Sequence, residues 1–175
     1  MKSLVQFILE STDSDNTNAL LDAFIEEYKK YTEEKVISVE EADKIYKKFE
    51  NLITPLDPEV RSFGRIQGIF RKRKPFIIIE KTDLVKSERF KESGEYFSLL
   101  VMVPEGKTHW PAYEIVFTAH IISGKNGKNT VDFKNVDVES RKLDLYKSRG
   151  ADEEDDLYYI RLLDKSAIDK LNELD

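Results

Sequence analysis

Between residues 63 and 165 the apolar side chains arrive in short runs. Each is too short for a stable helix and most are rich in β-branched or aromatic residues, and this pattern restricts the fold more than any other feature of the chain. The runs are Gly64–Arg71, Phe76–Lys81, Glu95–Val103, Ala112–Ile122, Thr130–Val138 and Leu157–Leu163. Between the fourth and fifth lies Ser-Gly-Lys-Asn-Gly-Lys (residues 123–128), where Gly and Asn tolerate the positive φ of a hairpin turn. Residues 83–92 read as a short helix or an irregular crossover. Consecutive short strands joined by tight turns predict a mainly antiparallel sheet.

Helical periodicity appears only outside that region. Leu20, Phe24, Tyr28 and Tyr31 recur at helical spacing, with Glu26, Glu27, Lys29 and Lys30 expected outward. Ser38 followed by Glu41 forms a capping box that opens a second helix with Ala42, Ile45, Phe49 and Leu52 inward, and Pro55 and Pro58 stop it. A short terminal helix over residues 166–174 carries Ile168, Leu171 and Leu174 on one face. The expected class is therefore α+β: a mainly antiparallel sheet of about five to six strands, two N-terminal helices and a short C-terminal one. Residues 1–10 read as a separate miniature amphipathic helix, with Leu4, Phe7 and Ile8 on one face. Residues 11–18, Ser-Thr-Asp-Ser-Asp-Asn-Thr-Asn, read as a polar tether, because such side chains compete for the backbone and favour caps and turns. Residues 19–175 then form a single domain, which is ample length for a core.

The residues that carry chemistry are sparse. The chain has no cysteine, which excludes disulfides, thiol catalysis and thiolate metal sites. Its two histidines are His109, in the expected loop 107–111, and His120, in an expected strand beside Glu114 and Thr118 at period two. A catalytic reading pairs His120 with one of those neighbours, but a partly exposed strand histidine is the favoured one. Zinc-type His spacing, a phosphate-cradling Gly loop and a serine elbow are all missing from the sequence. The acidic run at residues 152–156 lacks the alternation of a calcium loop and reads as a solvated segment. The expectation is a protein without catalytic residues, cofactor or metal. The basic stretch Arg65–Lys74 contains Phe70 and ends in Arg71, Lys72, Arg73 and Lys74. With Trp110, those four are the candidate contacts for a partner or a phosphate backbone. The net charge of −6 gives no general attraction to polyanions, so nucleic acid is the less favoured partner. The longest apolar runs, Phe76–Ile79 and Leu99–Val103, fall far short of a membrane span, and a soluble chain is expected.

One segment resembles something known. Residues 1–11, Met-Lys-Ser-Leu-Val-Gln-Phe-Ile-Leu-Glu-Ser, resemble the capsid-targeting leader of internal proteins in tailed phages of the T-even type, with Met1, Lys2, Ser3, Phe7, Ile8, Glu10 and Ser11 at the matching places. The resemblance implies processing after Glu10 within Ile8-Leu9-Glu10, so that Ser11 becomes the mature N-terminus. It also implies synthesis in the host cytoplasm, packaging in the virion interior, and capsid, scaffold or host proteins as partners. It covers eleven residues and implies nothing about the rest, for which the alternative is a non-enzymatic binding or inhibitor module contacting a host protein or nucleic acid.

Overall fold

The computed structural model describes residues 4–56, 59–60, 72–82, 95–106, 109–123, 129–146 and 156–174. The expected strand Gly64–Arg71, the crossover at residues 83–92, the hairpin tip 124–128 and residues 152–155 of the acidic run lie outside them.

The chain runs α1 (Leu4–Lys30), β1 (Lys35–Ser38), α2 (Val39–Ile53), a single 3-10 turn (Thr54–Leu56), β2 (Glu59–Val60), β3 (Phe76–Thr82), β4 (Glu95–Met102), β5 (His109–Ser123), β6 (Asn129–Tyr146), β7 (Asp156–Leu162) and α3 (Ser166–Asn172). The strands form one sheet in the order β1-β6-β5-β4-β3-β7-β2. Every pairing between neighbours is antiparallel. The class is α+β, as the run spacing implies. The hairpin signal is matched by its stems, since Ser123 pairs with Asn129.

The second helix begins as its capping residues dictate: the Glu41 amide donates to Ser38 Oγ at 3.1 Å. It ends at Ile53, before Pro55, which has no amide to continue the ladder. The first helix departs from expectation. Residues 4–30 form one unbroken helix, so the tether at 11–18 is helical and no break separates the first turns from residues 19–30. The reason is cooperativity. Once Leu20, Leu21 and Phe24 are buried against the sheet, each further residue adds a hydrogen bond without a new nucleus, and this offsets weak local propensity. Asn16 sits exposed in the middle of that polar stretch. Asn16→Pro is therefore expected to cost about 3 kcal/mol, or to release the turns before it with loss of helical circular dichroism. An unchanged spectrum and midpoint would return the segment to a tether.

Two strands are longer than their apolar runs. β5 starts at His109, so His109 and Trp110 are strand residues, not loop residues. Pro111 lies inside β5, and its carbonyl accepts from Val103 N at 2.9 Å. β6 continues to Tyr146 through Glu139-Ser-Arg-Lys-Leu-Asp, because backbone pairing with β5 carries a charged sequence along the sheet.

The sheet separates two apolar clusters. On one face Ile77, Ile79, Phe97, Leu99, Val101, Ile115, Phe117, Val136 and Val138 meet Leu20, Phe24, Tyr31, Ala42, Phe49 and Ile53 from α1 and α2, together with Ala167 and Leu171 from α3. On the other, Phe76, Ile78, Met102, Trp110, Ala112 and Ile160 form a smaller cluster built from strands alone. Among the described residues, every helical core side chain belongs to the first face. Glu27 is a further correction: the periodicity turns it outward, yet it is buried. One of its carboxylate oxygens lies 3.1 Å from Lys30 Nζ and 3.6 Å from Lys48 Nζ of α2, because α1 turns this position toward its neighbour.

Candidate functional site

Three groups of polar or aromatic side chains stand out, and each is assembled by a local irregularity in the backbone. The first is the basic turn before β3. Arg73 holds φ at 52°, a left-handed conformation unusual for a residue with a side chain. The turn places its guanidinium 4.6 Å from the Trp110 ring centroid and lets it donate to the Gly106 carbonyl. Trp110 is only 2% exposed and packs edge-on against Phe76 at 5.8 Å between centroids. Two of the sequence candidates, Arg73 and Trp110, are thus brought together, each occupied by the other. Lys72 and Lys74 stay exposed on either side, while Arg71 lies outside the described residues. Arg73→Ala is expected to uncover the only tryptophan of the chain, shifting its emission to the red and costing about 1 kcal/mol from the lost cation–π contact. An unchanged spectrum would show that the guanidinium does not cover the ring.

The second group lies on the helix-free face. Strand alternation puts Glu114, Thr118 and His120 of β5 on the same side as Asp137, Glu139 and Arg141 of β6, with Glu114 opposite Arg141 and Thr118 opposite Asp137. His120 turns to neither Glu114 nor Thr118. The register shift after Ala119 brings His120 Nε2 to 2.5 Å from Asp137 Oδ1. Glu114, 4% exposed, instead accepts from Arg141 Nε at 2.5 Å. Asp137 carries no signal in the sequence, because only the irregular pairing of β5 with β6 places it near the histidine. His109 pairs with Tyr146 in the ladder, far along β5 from His120.

The third group has no counterpart among the sequence candidates. At the seam between α2 and the β7-β3-β4 edge of the helical face, Asp43, Tyr46 and Glu50 follow at i, i+3 and i+7 along α2. They meet Lys81 of β3, Tyr96 of β4 and Tyr159 of β7. The β4–β5 register shifts between Glu95 and Phe97. This bulge turns Tyr96 onto the helical side, where it joins the main core and donates its hydroxyl to Asp43 Oδ1. Lys81 Nζ lies 4.3 Å from the Tyr46 ring centroid and 5.9 Å from that of Tyr96. Tyr46 packs edge-on against Phe97 at 5.5 Å. Its hydroxyl is buried toward Glu50 of α2 and the Tyr159 hydroxyl, its polar neighbours. The floor is two buried tyrosines, and the half-buried rim is Asp43, Glu50, Lys81 and Tyr159. The sequence stripe Ala42, Ile45, Phe49 and Leu52 orients the buried face of α2 but does not include Tyr46, and no local signal announces the bulge.

Burial, and then Asp43 beside it, pushes the Tyr96 hydroxyl well above its ordinary value. Burial, and then Glu50, does the same to Tyr46. Burial also raises Tyr159 and Tyr31. These tyrosines are neutral donors at physiological pH, not bases. An acid whose folded value is raised leaves stability untouched below the ordinary value and lowers it above. Stability is therefore expected to hold up to about pH 10 and to fall beyond it, where the unfolded chain ionises and the native one does not. Phenolate absorbance should rise in step with alkaline unfolding, and free titration of all tyrosines in the folded protein would contradict the burial.

Ile8, Glu10 and Ser11 lie in the first turns of α1; the backbone there is helical, and their side chains are outside the described part. Among the described residues, no group of His, Asp and Glu side chains is arranged to hold a metal ion, and no helix is long and apolar enough to cross a membrane. No protein-family model, no curated protein and no solved structure matches the chain.

Proposed function

We propose that this chain is a tailed-phage virion or internal protein, made in the host cytoplasm and packaged through its first residues, which acts by binding a protein partner. The observation that carries the reading is the segment Met1–Ser11, with Ile8-Leu9-Glu10 as the processing site. The helix geometry is compatible with such a cut. α1 continues to Lys30, so a chain beginning at Ser11 keeps 30 − 10 = 20 residues of helix, enough to persist while its later turns stay docked. Ser11, Thr12 and Asp13 would then stand at the new end, where capping side chains and acidic charge favour a helix start. Cleavage needs an extended backbone, so the first turns must open transiently, as helix ends do most readily. Intact-mass analysis of purified particles tests the proposal. A form beginning at Ser11 is expected, and absence of the protein from particles would sink it.

The exposed Lys72 and Lys74 favour a second reading, a binding or inhibitor module with a phosphate-bearing or acidic partner. Fluorescence anisotropy with a labelled DNA oligonucleotide across a salt series discriminates. Binding that weakens with salt and is lost in Lys72→Glu/Lys74→Glu supports this reading, whereas no binding at low salt removes nucleic acid as the partner.

A further inference from the structure

The Tyr46–Tyr96 seam has the composition of an ammonium receptor. Two aromatic faces converge on one point, and the carboxylates Asp43 and Glu50 belong to the same α2 surface. A cation over electron-rich rings is held by the ring quadrupole within about 6 Å, more strongly where water is excluded. Lys81 Nζ already occupies that point, at 4.3 Å and 5.9 Å from the two ring centroids. It is held loosely, because neither Asp43 nor Glu50 comes within ion-pair distance of it among the described residues. One further observation sets the seam apart from a chance stacking: the bulge at Tyr96 spends one residue of ladder pairing to bring that ring to the helical side.

We propose that the Tyr46–Tyr96 seam, with Asp43 and Glu50 at its rim, is a binding site for an alkylammonium group of the lysine side-chain or methylated-ammonium class, and that Lys81 fills it as an internal competitor. Binding then requires the Lys81 side chain to swing outward. That is feasible because it is half-buried at the rim and, among the described residues, its side chain is held by ring contacts alone. The site does not depend on the N-terminal segment or on where the protein is packaged.

The test uses tetramethylammonium chloride as probe, with sodium chloride at equal ionic strength as the blank, and follows the tyrosine ring protons of the full chain by NMR. Lys81→Ala is expected to bind the probe saturably and at least tenfold more tightly than the unaltered protein, and Lys81→Ala/Tyr46→Leu is expected to lose that binding. A folded Lys81→Ala protein that shows no saturable shifts, or equal binding with and without Tyr46, overturns the proposal. A second readout does not depend on any variant folding. In the unaltered protein the Lys81 ε-methylene protons should be shifted upfield by the rings and should move toward their free-chain position as probe is added. Ring-shifted protons that stay fixed through the titration would equally overturn it.

Discussion

Replacing Phe97 by alanine is expected to destabilise the protein by about 3–5 kcal/mol, a large share of the roughly 5–15 kcal/mol that holds a domain of this kind together. Phe97 is fully buried at the centre of the sheet, stacked on Phe117 with centroids 4.0 Å apart. Tyr46 and Tyr96 meet its ring edge-on at 5.5 Å and 5.6 Å. Truncation removes the transfer energy of the ring and leaves a cavity between β4, β5 and α2 that stiff strands cannot close. It also strips the packing from the seam tyrosines, so the Lys81 contact should loosen with it. Chemical denaturation checks the value. Phe97→Leu, which keeps much of the volume, should recover more than half of the loss, and a loss below about 1 kcal/mol for alanine would show that the aromatic stack is not the core.

Arg141→Leu is expected to cost about 3–5 kcal/mol, because it strands a buried carboxylate. Glu114 is almost fully enclosed, while its partner is half in water, so the pair itself adds little and the penalty comes from the charge left behind. The two-residue change Arg141→Leu/Glu114→Leu should therefore return to within about 1 kcal/mol of the original. Leu100 and Arg141 flank Glu114 across the ladder, and Ile78 lies beyond Leu100, so an apolar residue there has apolar company. If the double change is as damaging as the single one, the charge pair contributes something the fold cannot replace. A thermodynamic cycle over the two positions would measure that.

The separation between local and distant information runs through particular residues. Ser38 and Glu41 start α2, and Pro55 stops the helix from continuing, through contacts within a single turn. The runs Phe76–Lys81 and Leu157–Leu163 coincide with β3 and β7 almost residue for residue, since a half-buried strand must be rich in apolar side chains. By contrast, residues 11–18 have the local preferences of a turn and are helical, because packing further along α1 extends the ladder through them. The charged end of β6 and the strand setting of Trp110 come from pairing with a neighbour that no local pattern names.

The candidate sites divide in the same way. Arg73 and Trp110 were identifiable as residue types, but their mutual contact depends on a left-handed turn and a strand register. His120 was evident as a rare titratable side chain, whereas Asp137 became its partner through an irregularity in the β5–β6 pairing. The amino-acid sequence by itself determined where α2 starts and stops, the runs that become β3 and β7, and the antiparallel class, because periodicity and capping act over a few residues. Only the tertiary structure decided the sheet order, the bulge that turns Tyr96, and the meeting of Asp43, Tyr46, Lys81 and Tyr159, because those rest on contacts between segments many tens of residues apart.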